Sequence, residues 1–360
     1  YTVENEKGLL SLQQMMVDCL NRMFDYFEEK YRISSKNIYH ISFAGNTVMM
    51  HLLAGIPVRS IATVPFQPAT TRFPVLKAKE LGLNIFSNAV ISILPLISGY
   101  IGADTVACIL ATDMLEQDRF SLLVDIGTNG EIILGSSKGL LACAAAAGPA
   151  LEGAHIQCGM GGVRGAISKV EIQEDKIYYE TVGNAPATGI CGSGIVDVLA
   201  GMLKAGLLDT YGRMLTSDEA GDAVPAFLSA RIREFDGKPS FILLGRDEGA
   251  ENDIIITQKD VREIQLAKAA IAAGIKILMK EMQVGYDDIH KVYLAGGFGN
   301  YINHDNAMEI GLLPAELKDR VVHVGNASLT GAKMIAMSGK YVEEAEKAAR
   351  MTRYIELSSR

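Results

Sequence analysis

Asp125 closes an apolar run, Ser121 to Val124, and Gly127, Thr128, Asn129 and Gly130 follow it before a second apolar run begins at Ile132. That spacing sets one carboxylate at the tip of two strands, with bare glycine N–H groups and a threonine hydroxyl beside it. Such a group can wrap a phosphate. Asn129-Gly130 predicts a type I′ hairpin turn, in which both central residues need positive φ. Any buried hairpin uses a similar turn without a ligand, so this stretch alone leaves a phosphate site and a plain turn equally open.

The elements that would position these groups are repeated along the chain. Leu9 to Lys30 predicts an amphipathic helix with Leu12, Met15, Met16, Cys19, Leu20, Met23 and Phe27 on its apolar stripe. A strand, Ile38 to Ala44, follows a polar turn. Far downstream, Val261 to Met282 repeats the helix and Ile289 to Ala295 repeats the strand. Asn37 to Gly45 (NIYHISFAG) and Asp288 to Gly296 (DIHKVYLAG) share their apolar positions and end in the same Ala-Gly. Ser98 to Met114 and Val324 to Met337 then match as Gly-rich turns entering small-residue helices. Recurrence in the same order reads as an internal duplication. The second half opens with the Asp125 hairpin and the first half has no counterpart, so an earlier strand–Asp–Gly–Thr hairpin is expected before Tyr1. The chain also opens on Tyr1 rather than Met, which reads as a piece of something longer.

Composition narrows the function classes. The formal charge of −8 over 360 residues, with no long Lys/Arg run, argues against nucleic acid or a membrane surface as partner. No apolar stretch of spanning length and no signal pattern is present, so a soluble cytoplasmic protein is expected. Cys19, Cys108, Cys143, Cys158 and Cys191 are scattered, and the histidines lack H-x-x-x-H spacing, which disfavours disulfides, iron–sulfur ligation and a zinc site here. Met15-Met16 and Met49-Met50 are expected in the core.

Between hairpin and second helix lies an insert. Ala146 to Ile167 is dense in glycine but follows no strand in the manner of a dinucleotide fingerprint. Glu171 to Val182 predicts a hairpin, and Phe241 to Leu244 a strand. Gly189 to Leu208 predicts a Gly-rich turn entering an amphipathic helix, either an anion site or an ordinary helix start. The tail predicts one charged helix and a strand at Tyr354 to Leu357. Boundaries are expected at residues 1–114 for a first lobe, 115–340 for a second with the insert at 140–260, and 341–360 for the tail.

Two similar halves, an apolar strand into D-x-G-T-x-G and a late strand ending in Ala-Gly-Gly together resemble the actin-like ATPase superfamily, which includes sugar kinases and heat-shock chaperones. A wider set is similar to the ATPase domain of the reductive activators of corrinoid proteins: GNTVMMHLL (Gly45 to Leu53), PFQP (Pro65 to Pro68), GADTVA (Gly102 to Ala107), DIGTNGE (Asp125 to Glu131), AAGPALEGA (Ala146 to Ala154), GICGSG (Gly189 to Gly194), ITQKD and QLAKAAI (within Ile256 to Ile271), LAGGFG (Leu294 to Gly299) and GNASLTGA (Gly325 to Ala332). The resemblance implies an α/β, actin-like (ribonuclease H-like) duplicated fold, two pseudo-symmetric lobes with a nucleotide cleft between them, the opening hairpin of the first lobe missing. It implies ATP-driven electron transfer that returns a cobalt(II) corrinoid protein to cobalt(I). A two-iron two-sulfur cluster would lie in an N-terminal domain outside this piece, which carries no cluster-binding cysteine run. A homodimer is compatible with it.

By the same resemblance Gly127, Thr128, Asn129 and Gly130 would meet phosphate and Asp125 would hold a Mg²⁺-bound water, a role that suits a strongly hydrated cation. Gly296, Gly297 and Gly299 would let adenosine approach the main chain. Asp104 either orients the attacking water or caps its helix. Asn326, opening the symmetry-related helix, either faces nucleotide or caps. Ala103, Ala107 and Ala111, with Gly331, Ala332 and Ala336, would let the two small-residue helices cross closely as a hinge. Other readings are an ATP-coupled activator of a radical dehydratase, disfavoured by the scattered thiols; a small-molecule kinase, for which no general base is identified; and a nucleotide-sensing module without turnover.

Overall fold

The computed structural model describes residues 7–357, apart from Asn300 and the side chain of Asp222. Helix α1 (Gly8–Tyr31) ends where Arg32 turns left-handed, and a 3-10 turn (Ser35–Asn37) leads into β1 (His40–Phe43). Then come α2 (Thr47–Leu53), β2 (Leu76–Lys77), β3 (Val90–Ile93) and α3 (Ala103–Ala111). The middle of the chain supplies β4 (Phe120–Ile126), β5 (Gly130–Ser136), β6 (Gly139–Ala145), β7 (Ala166–Ile172), β8 (Ile177–Thr181), β9 (Gly189–Ile190) and α4 (Gly192–Lys204). After β10 (Ile232–Phe235), β11 (Lys238–Leu244) and β12 (Ile254–Thr257) come α5 (Gln258–Met282), a 3-10 turn (Tyr286–Asp288) and β13 (Ile289–Ala295). The chain closes with α6 (His304–Glu309), β14 (Val321–Gly325), α7 (Ala327–Met337), α8 (Lys340–Met351) and β15 (Thr352–Tyr354).

The repeat is visible in the order of elements. In both halves a long helix, a 3-10 turn and a strand precede a second strand and a small-residue helix: α1, β1, β3, α3 and α5, β13, β14, α7. Both strand pairs are parallel, with His40 opposite Val90 and Val292 opposite Val321. Asn46 caps α2 and Asn326 caps α7, each side chain accepting the N–H three residues on, from Met49 and Leu329. Such caps satisfy helix-end donors that would otherwise lack partners.

By packing the chain divides into two compact units. One contains Tyr1–Phe120, Ile133–Cys143 and Asn326–Arg360, the other Ser121–Ile132 and Ala144–Gly325. In the first, α7 crosses α3 so tightly that a Cβ on Gly331 would strike the main-chain carbonyl of Ala107. Two of the small residues picked out in the sequence, Ala107 and Gly331, therefore do meet. Ser42 Oγ donates to the Ala332 carbonyl at 2.6 Å, fastening β1 to α7.

In the second unit, α5 starts on a capping box in which Asp260, 1% exposed, accepts from the Thr257 N–H and hydroxyl, both at 2.8 Å. Its other oxygen accepts from the Gln157 N–H at 2.8 Å, tying the Gly-rich insert to the helix. Ile264, Ile271, Ile275 and Leu278 are buried along α5, at the helical spacing the sequence predicts. The predicted hairpin and strand in the insert correspond to β7–β8 and β11.

Three expectations need correction. The apolar stripe of α1 does not face the core: Val17 and Phe24 are buried, Gln13 and Asn21 donate to the Leu53 and Gly82 carbonyls, and Met15, Met23 and Phe27 are exposed. Met50 is buried as expected, whereas Met49 is exposed. The final strand is Thr352–Tyr354 rather than Tyr354 to Leu357, because Thr352 pairs in parallel with Leu140 of β6. Among the described residues no helix is long and apolar enough to cross a membrane.

Candidate functional site

Asp125 lies one residue before the end of β4, and Gly127 to Asn129 turn the chain into β5. The hairpin is there, but its turn is not type I′, since neither Asn129 nor Gly130 has positive φ. Gly127 N–H donates to the Asn129 carbonyl at 3.0 Å instead. Gly130 is the first residue of β5, and its hydrogen side chain is required by packing: a Cβ would come within 2.8 Å of Ile271 Cγ1 on α5.

Behind β13 the chain makes one helical turn, Gly296–Gly299. Gly296 has φ +91, and a Cβ there would collide with Asp125 Oδ1. Only glycine meets both demands. At Gly297 a Cβ would find nothing within 4 Å, and the same is true at Gly161 and Gly162 of the insert.

These open faces border one cavity of about 610 Å³ in the second unit, a volume within the ~300–1,000 Å³ span of small-molecule sites. The β4 end contributes Asp125, Ile126 and Gly127, the insert Leu151 and Glu152, and the β13 end Gly296, Gly297 and Phe298. Cys191, Gly192 and Ser193 bring the start of α4 to the same wall. The positive end of that 13-residue helix favours an anion. Gly192 is needed there because a Cβ would press on the Leu151 carbonyl and on Phe298 Cε2, the latter at 2.5 Å.

Among the described residues lining the cavity, Asp125 and Glu152 carry charge and no Lys or Arg appears. Thr128 Oγ1 donates to Glu152 Oε2 at 2.7 Å. A polyphosphate entering between two carboxylates needs a divalent cation with it, since like charges at such range repel strongly. Phe298, Tyr301, Leu151 and Val182 supply apolar surface for a flat ring. The glycine walls and the helix start therefore fit a nucleotide bound with a metal ion.

The residues singled out in the sequence are distributed unevenly. Asp125, Gly127, Gly296 and Gly297 line the cavity, with Thr128 one hydrogen bond behind them. Asn129 and Gly130 belong to the hairpin but do not line it. Gly299 is buried with only ordinary contacts, and its carbonyl accepts from His323 Nδ1 at 2.9 Å. Asp104 and Asn326 belong to the first unit. The cap of α3 is Gly102, not Asp104, whose Oδ1 accepts from the Thr105 N–H at 2.8 Å in the first turn. Asn326 does cap α7.

Glu152, Phe298 and Tyr301 carried no assigned role in the sequence. Gly148-Pro149, opening the 3-10 turn that ends at Glu152, was the available signal. The five cysteines are free thiols, and burial pushes the Cys143 thiol up to about 12.

Comparison with known proteins identifies the family. A family model described as the C-terminal domain of RACo, the ASKHA domain, matches residues 119–360, and one for the RACo middle region matches residues 1–117. The corrinoid activation enzyme RamQ of Eubacterium limosum is 34% identical over 359 residues, covering 100% of this chain and 60% of its own length. The [Co(II) methylated amine-specific corrinoid protein] reductase of Methanosarcina barkeri is 27% identical over 94% of this chain and 62% of its own length. A solved reductive activator for corrinoid, iron-sulfur protein superposes with a TM-score of 0.88 at 36% identity, over 99% of this chain and 56% of its own. The chain thus spans about 60% of the length of the curated relatives it matches. With residues 119–360 matched by that ASKHA model and residues 1–117 by the middle-region model, the chain belongs to the RACo family of actin-like ATPase domains.

Proposed function

We propose that this chain is the nucleotide-binding part of a cytoplasmic reductive activator that couples ATP hydrolysis to low-potential electron transfer, returning a cobalt(II) corrinoid protein to cobalt(I). The observation that carries the reading is the cavity walled by glycines, in which Gly296 lies directly against Asp125 and Gly297 faces open space. In this reading Asp125 holds a Mg²⁺-bound water and Gly127 meets phosphate, with Thr128, Asn129 and Gly130 shaping the turn behind it, as phosphoryl transfer is governed by positioning and charge. Gly296, Gly297 and Gly299 keep the adenosine side free of side chains.

MgATP supplies free energy, and the protein uses it by having different affinities for the corrinoid partner in its nucleotide states. The electron enters from a two-iron two-sulfur cluster outside these residues, and the activator works as a homodimer. A calorimetric titration of the full-length protein with MgATP, repeated with Asp125→Ala and with EDTA, tests the site. Binding that falls at least tenfold in both cases supports it; binding unaffected by either removes Asp125 and the metal from the account.

A further inference from the structure

Away from the cavity, His304 at the start of α6 and His323 on β14 face each other across 3.3 Å, from Nδ1 to Nε2. Their rings are 5.5 Å apart and tilted by 51°. Each outer nitrogen has an oxygen near it. His323 Nδ1 lies 2.9 Å from the Gly299 carbonyl, and His304 Nε2 lies 3.6 Å from Asp305 Oδ1.

The proton count of this arrangement is restrictive. A carbonyl only accepts, so His323 Nδ1 carries the hydrogen, and in the neutral ring Nε2 presents a lone pair to His304. If neutral His304 carries its hydrogen on Nε2, two lone pairs face each other at 3.3 Å. If it carries it on Nδ1, it donates to His323 Nε2 and its outer nitrogen has no hydrogen for the Asp305 carboxylate. A cation between the inner nitrogens instead leaves both outer nitrogens with an N–H to present to those oxygens.

We propose that His304 Nδ1 and His323 Nε2 are two ligands of a divalent transition-metal site of the zinc type. Two imidazole nitrogens at 2.0–2.1 Å from a tetrahedral zinc stand about 3.3 Å apart, the separation found here. Metal-bound histidines commonly donate their other N–H to a carbonyl or a carboxylate, as Gly299 and Asp305 would accept here. Lys318 Nζ holds the Asp305 carboxylate at 3.0 Å. His323 is exposed, so water completes the coordination and the ion has a path in. Among the described residues no group of three or more His, Cys, Asp or Glu gathers at one point, which makes this a two-histidine site of moderate affinity. Its place gives it a consequence: through Gly299 it fastens the chain at the end of the Gly296–Gly299 turn.

The test is zinc titration of metal-stripped, tag-free full-length protein against a chromophoric chelator at neutral pH, with His304→Gln, His323→Gln, the double variant and Asp305→Asn. Circular dichroism checks that each remains folded. The site requires one zinc bound at micromolar affinity or tighter, weakened at least tenfold by either histidine change and by a smaller factor in Asp305→Asn. Wild type binding zinc no more tightly than the double variant overturns it, leaving the pair as a hydrogen bond between the two rings.

Discussion

The Cβ that any residue other than glycine would place at position 296 falls on Oδ1 of Asp125, so the two positions are sterically interlocked. Gly296→Ala must therefore move the carboxylate or the turn, and it adds a strained left-handed φ of +91. We expect it to cost about 1–3 kcal/mol of stability and to weaken MgATP binding at least tenfold. Gly297→Ala faces open space and is predicted to lower affinity with stability changed by less than about 1 kcal/mol. Denaturant unfolding beside calorimetry separates the two. Equal effects of both changes on stability and binding would remove the steric argument.

Glu152 accepts the Thr128 hydroxyl and shares the cavity wall with Asp125. Replacing it with Gln removes a charge that repels bare phosphate while keeping an acceptor in place. Glu152→Gln should bind Mg-free ATP several-fold more tightly than wild type, narrowing the gap between affinities with and without magnesium. An unchanged gap would mean that Glu152 does not face the phosphates.

Asp260 is almost wholly buried and accepts from Gln157 and Thr257 at once. Asp260→Ala strands those donors and should destabilise the protein by about 3 kcal/mol, read as a shift of the urea midpoint. A loss below about 1 kcal/mol would show that water replaces the carboxylate.

Burial pushes the Asp197 carboxyl above its ordinary range, with the hydrogen bonds from Asn306 and Val170 opposing the shift. A raised folded pKa means that folding favours the protonated acid. Its stabilising contribution is complete below the unfolded value of about 3.9 and disappears as pH rises through the folded value. The stability of Asp197→Asn relative to wild type should therefore increase between pH 4 and pH 7. The opposite trend in paired urea titrations would show that the ionised form is the one favoured by folding.

The duplication was legible because its signals are local and periodic. A parallel strand ending in Ala-Gly and a small-residue helix that must cross a partner leave fixed spacings in the sequence. The turn type at Asn129-Gly130 was not legible, since the reason for Gly130 is Ile271, a long-range neighbour on α5. Periodicity likewise found the α1 helix and its apolar stripe but not its direction. Gln13 and Asn21 turn toward the body because the Leu53 and Gly82 carbonyls await them. Glu152 and Phe298 became site candidates only when the insert and the turn after β13 came together around Asp125.

The most direct test of the account uses the full-length protein and a cobalt(II) corrinoid protein with a low-potential electron donor, following cobalt(I) by its absorbance. The account predicts cobalt(I) only when MgATP is present, and formation at least a hundredfold slower with Asp125→Ala. Reduction at the same rate without ATP, or an unimpaired Asp125→Ala protein, would contradict it.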